Sequence, residues 1–389
     1  MIDSVVIADD LTGALETGCL LSGAGSETRV LLEQQAMAEW SDGAIVFDVE
    51  SRHLSAHAAA ASVSAAAGPA AETGARRVYL KIDSTLRGPI GSELAAFMRA
   101  WPDSPLVFTP AYPQFGRVVR GGRLFVHGLP LEKTEFARDR FEPAKTGGIV
   151  ELIGPYCPSP VIGVSSAEEL REKLVQDRGA GLYICDAETD QELLAIRRVV
   201  DEQQRRILLA GSAGLFRQFL EAGPRTGQAI KAENGLMISG SQHPASLAQV
   251  AYAESRGVPV YRLSPGVEQD AALMTEVVAI LTAEKWAILT TPQRDANAEA
   301  LGGRIGRFVQ AVMERVPLRS LTVLGGDTTR DVLRGLGVGL IRPIGELLAG
   351  IPVSKIGTGR QEAHLVTKAG GFGEEQDLIR IREAIRGGR

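Results

Sequence analysis

At 389 residues and a net charge of -5, the chain is too long for one ordinary core, so two domains are expected, and it carries no basic surplus for nucleic-acid or membrane-surface partners. Its hydrophobic content of 44% and charged content of 23% are those of a globular protein, and no run of about 18 apolar residues exists to span a bilayer. Three scattered cysteines (Cys19, Cys157, Cys185) and five histidines without ligand spacing exclude a disulfide or zinc framework and point to free thiols in a reducing, cytoplasmic compartment.

The N-terminal MIDSVVIADD has no basic n-region or cleavage site and passes straight into a strand, Ser4–Ala8. That strand ends in Asp9 and Asp10, and Leu11-Thr12-Gly13-Ala14 opens a helix. Ligands of open α/β sheets sit at the carboxyl ends of strands. An acid there can orient a hydroxyl, accept its proton or hold a divalent cation, although the same pair equally reads as a helix N-cap. Strands Thr28–Leu32 and Ala44–Asp48 follow, the second running into Asp48-Val49-Glu50-Ser51-Arg52, where Arg52 is a further cation for an acid. Ala56–Ala71 reads as one small-residue helix.

Strand Val78–Ile82 leads into Lys81-Ile82-Asp83-Ser84-Thr85-Leu86-Arg87-Gly88. Two cations, a carboxylate and two hydroxyls in so short a span suit a ligand bearing a carboxylate and hydroxyls. Arg grips a carboxylate with two parallel hydrogen bonds and Lys acts as a point charge. The plainer alternative is a solvated turn capped by Ser84. Strand Leu106–Thr109 is followed by Pro110-Ala111-Tyr112-Pro113, Gly116-Arg117, a hairpin over Arg117–Leu129 with Gly121-Gly122 at its turn, and Glu132-Lys133-Thr134-Glu135-Phe136. Spacing alone leaves these last segments as ordinary turns. Strands Gly181–Cys185 and Ile207–Ala210 flank a helix, Asp190–Gln204.

Gly223-Pro224-Arg225-Thr226-Gly227 breaks both periodicities and marks a linker, which divides the chain into domains 1–228 and 229–389. Beyond it lie strands Gly235–Ser239, Val258–Leu263, Trp286–Thr290, Leu321–Leu324 and His364–Lys368. Helices are expected at Pro244–Arg256, Asp270–Ala283, Ala298–Arg315, Arg330–Leu336 and Glu375–Arg386. Strands alternating with helices throughout define an α/β fold in two domains, each a mainly parallel sheet flanked by helices.

Three strand-to-helix turns in the second half are rich in Gly, Ser and Thr: Gly240-Ser241-Gln242-His243, Gly325-Gly326-Asp327-Thr328-Thr329 and Ala369-Gly370-Gly371-Phe372-Gly373. Such turns let backbone N–H groups approach phosphate, and together they look like a nucleotide cradle. None matches the G-x-x-x-x-G-K-[ST] or G-x-G-x-x-G fingerprint.

The succession ADDLTGA at 8–14, Ser51-Arg52, KIDSTLRG at 81–88, PAYP at 110–113, Gly116-Arg117, Thr134-Glu135-Phe136, Gly240-Ser241, GGDT at 325–328 and KAGGFG at 368–373 resembles the four-carbon acid sugar kinases. The match spans nearly the whole chain, and KIDSTLRG is its most specific part. The resemblance implies an N-terminal acid-sugar-binding domain, a C-terminal ATP-binding domain, an active site in the cleft between them, and Mg²⁺ as a companion of ATP with its ligands unassigned. Carried over by position, Asp9, Asp10, Arg52, Lys81, Ile82, Asp83, Ser84 and Arg87 would face the acid sugar, with Asp9, Asp10 and Asp83 as catalytic candidates. Ser241, His243, Gly325, Gly326, Asp327, Thr328, Gly370 and Gly371 would hold ATP. His243 stands where the family often has the last serine of GSCS, and Asp327 where it has Glu.

The activity expected from this resemblance is ATP-dependent phosphorylation of a terminal hydroxyl on a threonate, erythronate or 3-oxo-tetronate type of acid. Substrate stereochemistry and oligomeric state stay open, with a homodimer allowed. A haloacid-dehalogenase-like phosphatase is the rival enzyme, but that chemistry needs acids at i and i+2, and here they are adjacent at Asp9 and Asp10. A non-catalytic sensor of sugar acids or nucleotides is the other rival.

Overall fold

The computed structural model describes residues 2–32, 42–138, 143–144, 146–157, 159–176, 179–220, 230–263, 270–283, 286–291, 298–358 and 361–387. The linker expected at Gly223–Gly227 lies outside them. In chain order the elements are β1 (Ile2–Ala8), α1 (Leu11–Gly23), β2 (Thr28–Leu31), β3 (Gly43–Asp48), α2 (Ala56–Glu72), β4 (Arg77–Lys81), α3 (Ile90–Arg99), β5 (Leu106–Thr109), β6 (Arg117–Arg120), β7 (Arg123–Val126), β8 (Leu129–Pro130), α4 (Ile149–Ile153), β9 (Val161–Val164), α5 (Ala167–Gln176), β10 (Leu182–Cys185), α6 (Asp190–Asp201), β11 (Leu208–Gly211) and α7 (Ala213–Gln218). Then come β12 (Gly235–Ser239), α8 (Pro244–Ser255), β13 (Val260–Arg262), α9 (Asp270–Ala283), β14 (Trp286–Thr290), α10 (Ala298–Arg315), β15 (Ser320–Leu324), α11 (Gly326–Gly335), β16 (Leu340–Leu348), β17 (Ile351–Gly357), β18 (Glu362–Lys368) and α12 (Asp377–Gly387).

The chain divides into two units, Met1–Thr17 with Leu31–Gly223, and Gly18–Val30 with Pro224–Arg389. In the first, the strand order is β3-β1-β4-β11-β5-β10-β9, with every neighbour parallel. Parallel strands are covered on both faces, which is why they read as unbroken apolar runs. Val5, Val6, Ile7 and Ala8 of β1 are all fully buried. A separate antiparallel sheet, β6-β7-β8, realises the hairpin expected at Gly121-Gly122. Thr189 and Glu192 form a capping box that fixes the start of α6.

The second unit has the order β13-β14-β12-β15-β18-β17-β16-β2. From β13 to β18 the neighbours are parallel, whereas β17 is antiparallel to both β16 and β18. Residues 18–30 join this unit although they precede the linker by some two hundred positions. Buried Cys19 anchors them, donating its thiol to Val353 O at 3.3 Å, and burial pushes that thiol up to about 12. The core of this unit gathers Met237, Ile288, Leu324 and Val366 with Leu378, Ile381 and Ile385 of α12.

Two differences from the sequence reading have physical causes. Strands β16 and β17 were not expected, because Pro343, Gly345 and the Ala349-Gly350 turn interrupt the alternation. Their pairing absorbs those residues with register shifts at Pro343/Gly345 and Glu346/Leu348. Helix α11 starts at Gly326, not Arg330, because Gly325 adopts a φ of 97° and serves as its N-cap. Asp327 and Thr328 therefore belong to a helical turn instead of a loop.

Candidate active site

Strand β1 lies between β3 and β4, all three parallel, so the segments leaving their carboxyl ends emerge side by side. Backbone bonds lace them together. Asp9 N donates to Lys81 O at 3.1 Å, Arg52 N to Asp9 O at 3.2 Å and Ile82 N to Gly211 O at 3.0 Å. The three polar strand ends are thereby one cluster.

Arg52 is its centre. Its Nε and Nη2 donate to the two oxygens of Asp9 at 3.0 and 3.1 Å, and its Nη1 donates to Asp10 Oδ2 at 2.6 Å. The Asp83 amide donates to Asp9 Oδ2 at 3.2 Å, and the Gly13 amide to Asp10 Oδ1 at 2.8 Å. Asp10 thus does cap α1, and it faces Arg52 as well. Arg87 forks onto Asp83 at 2.7 and 3.1 Å, while Thr85 donates its hydroxyl to the same carboxylate. Lys81, 5% exposed, donates Nζ to Ile82 O at 3.1 Å. Ile82 has a fully buried side chain, so only its backbone can serve the site. Ser84 is half-buried on the same turn.

The backbone is tailored to this packing. A Cβ on Gly13 would lie 2.8 Å from Lys81 Nζ. Glu50 and Leu86, just before Arg52 and Arg87, hold positive φ values of 50° and 57°. Non-glycine residues keep such conformations only where the surroundings enforce them, and functional sites are where they gather.

Burial works against each carboxylate here, and neighbouring cations decide the outcome. For Asp83, Arg87 and Arg52 overcome burial and hold the carboxyl well below the usual range. For Asp10, Arg52, Lys81 and the Gly13 amide also prevail over burial and lower the carboxyl. For Asp9, burial wins, assisted by Asp10, and its carboxyl is raised. Accessibility separates the acids further. The Asp9 side chain is 1% exposed, against 14% for Asp10 and 11% for Asp83.

Several members had no usable signal in spacing. Phe136, from the Thr134-Glu135-Phe136 segment, packs beneath both Arg87 and Arg117, whose guanidinium carbons lie 5.8 and 5.9 Å from its ring centre. Tyr112, from Pro110-Ala111-Tyr112-Pro113, donates its hydroxyl to Glu16 at 2.9 Å. Glu93 could have been found, since it lies on the apolar stripe of α3 with Ile90, Leu94 and Phe97, where an acid is out of place.

In the second unit β12, β15 and β18 are adjacent, which brings the three glycine turns together. Gly325 N donates to Lys368 O at 2.9 Å, and Ser246 donates its hydroxyl to Gly370 O at 2.7 Å. A Cβ on Gly240 would collide with Thr328, one on Gly370 with the Ser241 hydroxyl, and one on Gly371 would lie 3.4 Å from the His243 ring. The first two contacts require glycine, while the third is an ordinary van der Waals approach. His243 caps α8, its Nδ1 accepting from Ala245 N at 3.2 Å. Asp327 is exposed in the first turn of α11, whereas Thr328 is buried under Gly240. Lys368, the first residue of KAGGFG, closes the last turn by donating to Ala369 O at 3.2 Å and to Phe372 O. Burial lowers its ammonium to about 8. A cavity of about 410 Å³ adjoins the first of these turns, lined by Ser239, Ser241, Gln242, Val250, Arg262 and Thr290 among others. Among the described residues no group of three or more His, Cys, Asp or Glu is placed to hold a metal ion, and no helix is long and apolar enough to cross a membrane.

The acid cluster lies at strand ends of the first unit and the glycine turns at strand ends of the second, in keeping with a protein of one sugar-binding and one nucleotide-binding domain. The family models agree: that of a sugar-binding N-terminal domain matches residues 4–219 and that of a nucleotide-binding C-terminal domain matches residues 236–378. The chain is 31% identical to a D-threonate kinase of Salmonella typhimurium, over 96% of both chains. It is 29% identical to a 3-oxo-tetronate kinase of Methylobacterium radiotolerans, over 94% of this chain and 95% of the relative. A crystal structure of a Salmonella typhimurium protein shares the fold with a TM-score of 0.81 at 21% identity, over 99% of this chain and 100% of the other. The chain belongs to the four-carbon acid sugar kinase family.

Proposed function

We propose that this protein transfers the γ-phosphoryl group of ATP to a terminal hydroxyl of a four-carbon sugar acid of the threonate, erythronate or 3-oxo-tetronate type. The sugar acid belongs to the first unit and ATP to the second. The observation that carries this reading is the meeting of three glycine turns at the ends of β12, β15 and β18, packed so closely that a Cβ on Gly240 would meet Thr328 and one on Gly370 the Ser241 hydroxyl; glycine turns of this kind offer backbone N–H groups to phosphate. The adjoining cavity has the size of a nucleoside site.

Asp10 is the proposed base. Its carboxylate is kept ionised by Arg52, oriented by the Gly13 amide and more accessible than that of Asp9. It accepts the proton of the attacking hydroxyl as the new P–O bond forms and the bond from the γ-phosphorus to the bridging oxygen breaks, leaving ADP. Asp9 serves as the buried brace of Arg52. Arg87, a quarter exposed, and Lys81 supply positive charge for the substrate carboxylate. When bound with ATP, Mg²⁺ would neutralise phosphate charge; no ligands are assigned to it. The free cysteines suit a reducing compartment such as the cytoplasm.

A phosphatase of the haloacid dehalogenase type is disfavoured, since the acid that would be its nucleophile, Asp9, has both oxygens engaged and is almost fully buried. An ATP-coupled screen over four-carbon sugar acids and their 3-oxo derivatives tests the proposal. ADP and a phosphorylated acid are expected with at least one of them. Binding without turnover across the panel would instead favour a sensor. Within an active enzyme, Gly370→Ala is expected to displace the Ser241 turn and cost on the order of 10²-fold in kcat/KM for ATP, with the KM for the acid little changed. An unchanged KM for ATP would remove Gly370 from the nucleotide site.

A further inference from the structure

Glu93 lies in the first turn of α3 and is fully buried; the Ser51 hydroxyl approaches it, but among the described residues no hydrogen bond of good geometry reaches either carboxyl oxygen. Its surroundings are the acid-sugar cluster itself. The turn before α3 packs on Arg52: a Cβ on Gly88 would lie 3.1 Å from Arg52 O and 3.3 Å from its Cγ. The Ser51 hydroxyl, next to Arg52, is likewise buried without a hydrogen-bond partner of good geometry. Native proteins rarely leave a buried carboxyl unsatisfied, and a group left so calls for an explanation beyond packing. A leucine of similar size would fill this stripe of α3 at lower cost.

Resting on the kinase reading above, we infer that Glu93 is a positioning residue for sugar-acid binding: neutral, it leaves the charge of Arg52 to Asp9 and Asp10, and ionised, it draws on that charge and repels the anionic substrate. The direction of its titration agrees. Burial, then the charge of Asp9, push the Glu93 carboxyl up to about 8, with Ser51 and Arg52 opposing and Asp10 adding to the rise. Of the other elements packed on α3, the turn Gly154–Tyr156 lays the Tyr156 ring on Gly91, and the two helices bring no charge on their buried faces. The buried face of α2 is Ala59, Val63, Ala66, Ala67 and Ala70, and that of α4 is Ile149 and Ile153. The charged groups that face Glu93 are therefore Asp9 and Asp10 beyond β1 and Arg52 beyond β3. Because the folded-state value lies above that of a free glutamate, the group is neutral at neutral pH. It gains its charge as pH rises through about 8.

The sign for binding follows: affinity for an anionic acid should hold at neutral pH and fall above about 8. The experiment compares wild type with Glu93→Gln, whose amide mimics the neutral acid in size, across that range, measuring KM for the sugar acid, KM for ATP and kcat. In the wild type KM for the acid is expected to rise about three- to tenfold on the alkaline side, with KM for ATP unchanged. In Glu93→Gln that rise should vanish, leaving KM for the acid flat across the range. An alkaline rise that persists in Glu93→Gln, or is absent from the wild type, overturns the inference. Should the variant not fold, infrared titration of the wild type decides instead. A protonated-carboxyl band that survives at neutral pH and disappears above about 8 supports it, and absence of that band at neutral pH overturns it. Failure of the kinase reading would look different, as no turnover with any acid at any pH.

Discussion

Arg52→Ala is expected to lower stability by about 3–5 kcal/mol and to abolish turnover, because it strands a carboxylate in the protein interior. Asp9 is 1% exposed, and both of its oxygens accept from Arg52. With the guanidinium gone, the Asp9 and Asp10 charges face each other across a site that water reaches poorly. The sequence suggests a narrower result, mainly damage to acid binding, since Arg52 reads there as a cation for an acid ligand. Its engagement with two aspartates makes it a structural keystone first and a source of positive charge second. Arg52→Lys should recover part of the stability but little activity, since a point charge cannot bond both oxygens of Asp9 and reach Asp10 as well. Urea or guanidinium unfolding provides the measurement. A midpoint within error of wild type for Arg52→Ala would contradict the buried-pair account.

Asp10→Asn is expected to reduce kcat by about 10²–10⁴-fold while the KM values for both substrates change little. The amide preserves the side chain's size and can still accept from the Gly13 amide, so the start of α1 should survive, but it cannot take a proton from the attacking hydroxyl. Arg52 and Lys81 hold the Asp10 carboxyl below its usual range. The acidic limb of the wild-type kcat profile should accordingly lie below the ordinary carboxylate value of about 3.9. Above it the base is ionised and kcat is retained; kcat is lost as pH falls through the lowered value. Asp83→Asn is the control. Should it abolish kcat while Asp10→Asn remains active, the base is Asp83, which is also ionised and 11% exposed.

Much of the fold was legible because its signals are local. Continuous apolar runs such as Val5–Ala8 and Leu106–Thr109 can be satisfied only by strands covered on both faces. The start of α9 at Asp270 and the turn of the β6–β7 hairpin at Gly121-Gly122 coincide with local acid and glycine cues. The hairpin β16–β17 escaped because proline and glycine, which normally end strands, are absorbed there by irregular pairing, and pairing is a property of two segments at once. For the same reason the membership of residues 18–30 in the second unit could not be read along the chain.

The sequence by itself determined the α/β class, the family and the residue types that gather at strand ends, since periodicity and motif order are properties of one line of residues. Tertiary structure alone decided which of those residues meet and in what charge state. Placing β1 between β3 and β4 turns three unremarkable polar turns into one cluster around Arg52, and placing β12, β15 and β18 side by side does the same for the glycines. It also drew in Phe136 and Glu93, whose contributions depend on distance and dielectric instead of position in the chain. The strength of a charge interaction depends on separation and on how far water is excluded, and neither is set until the sheets have formed.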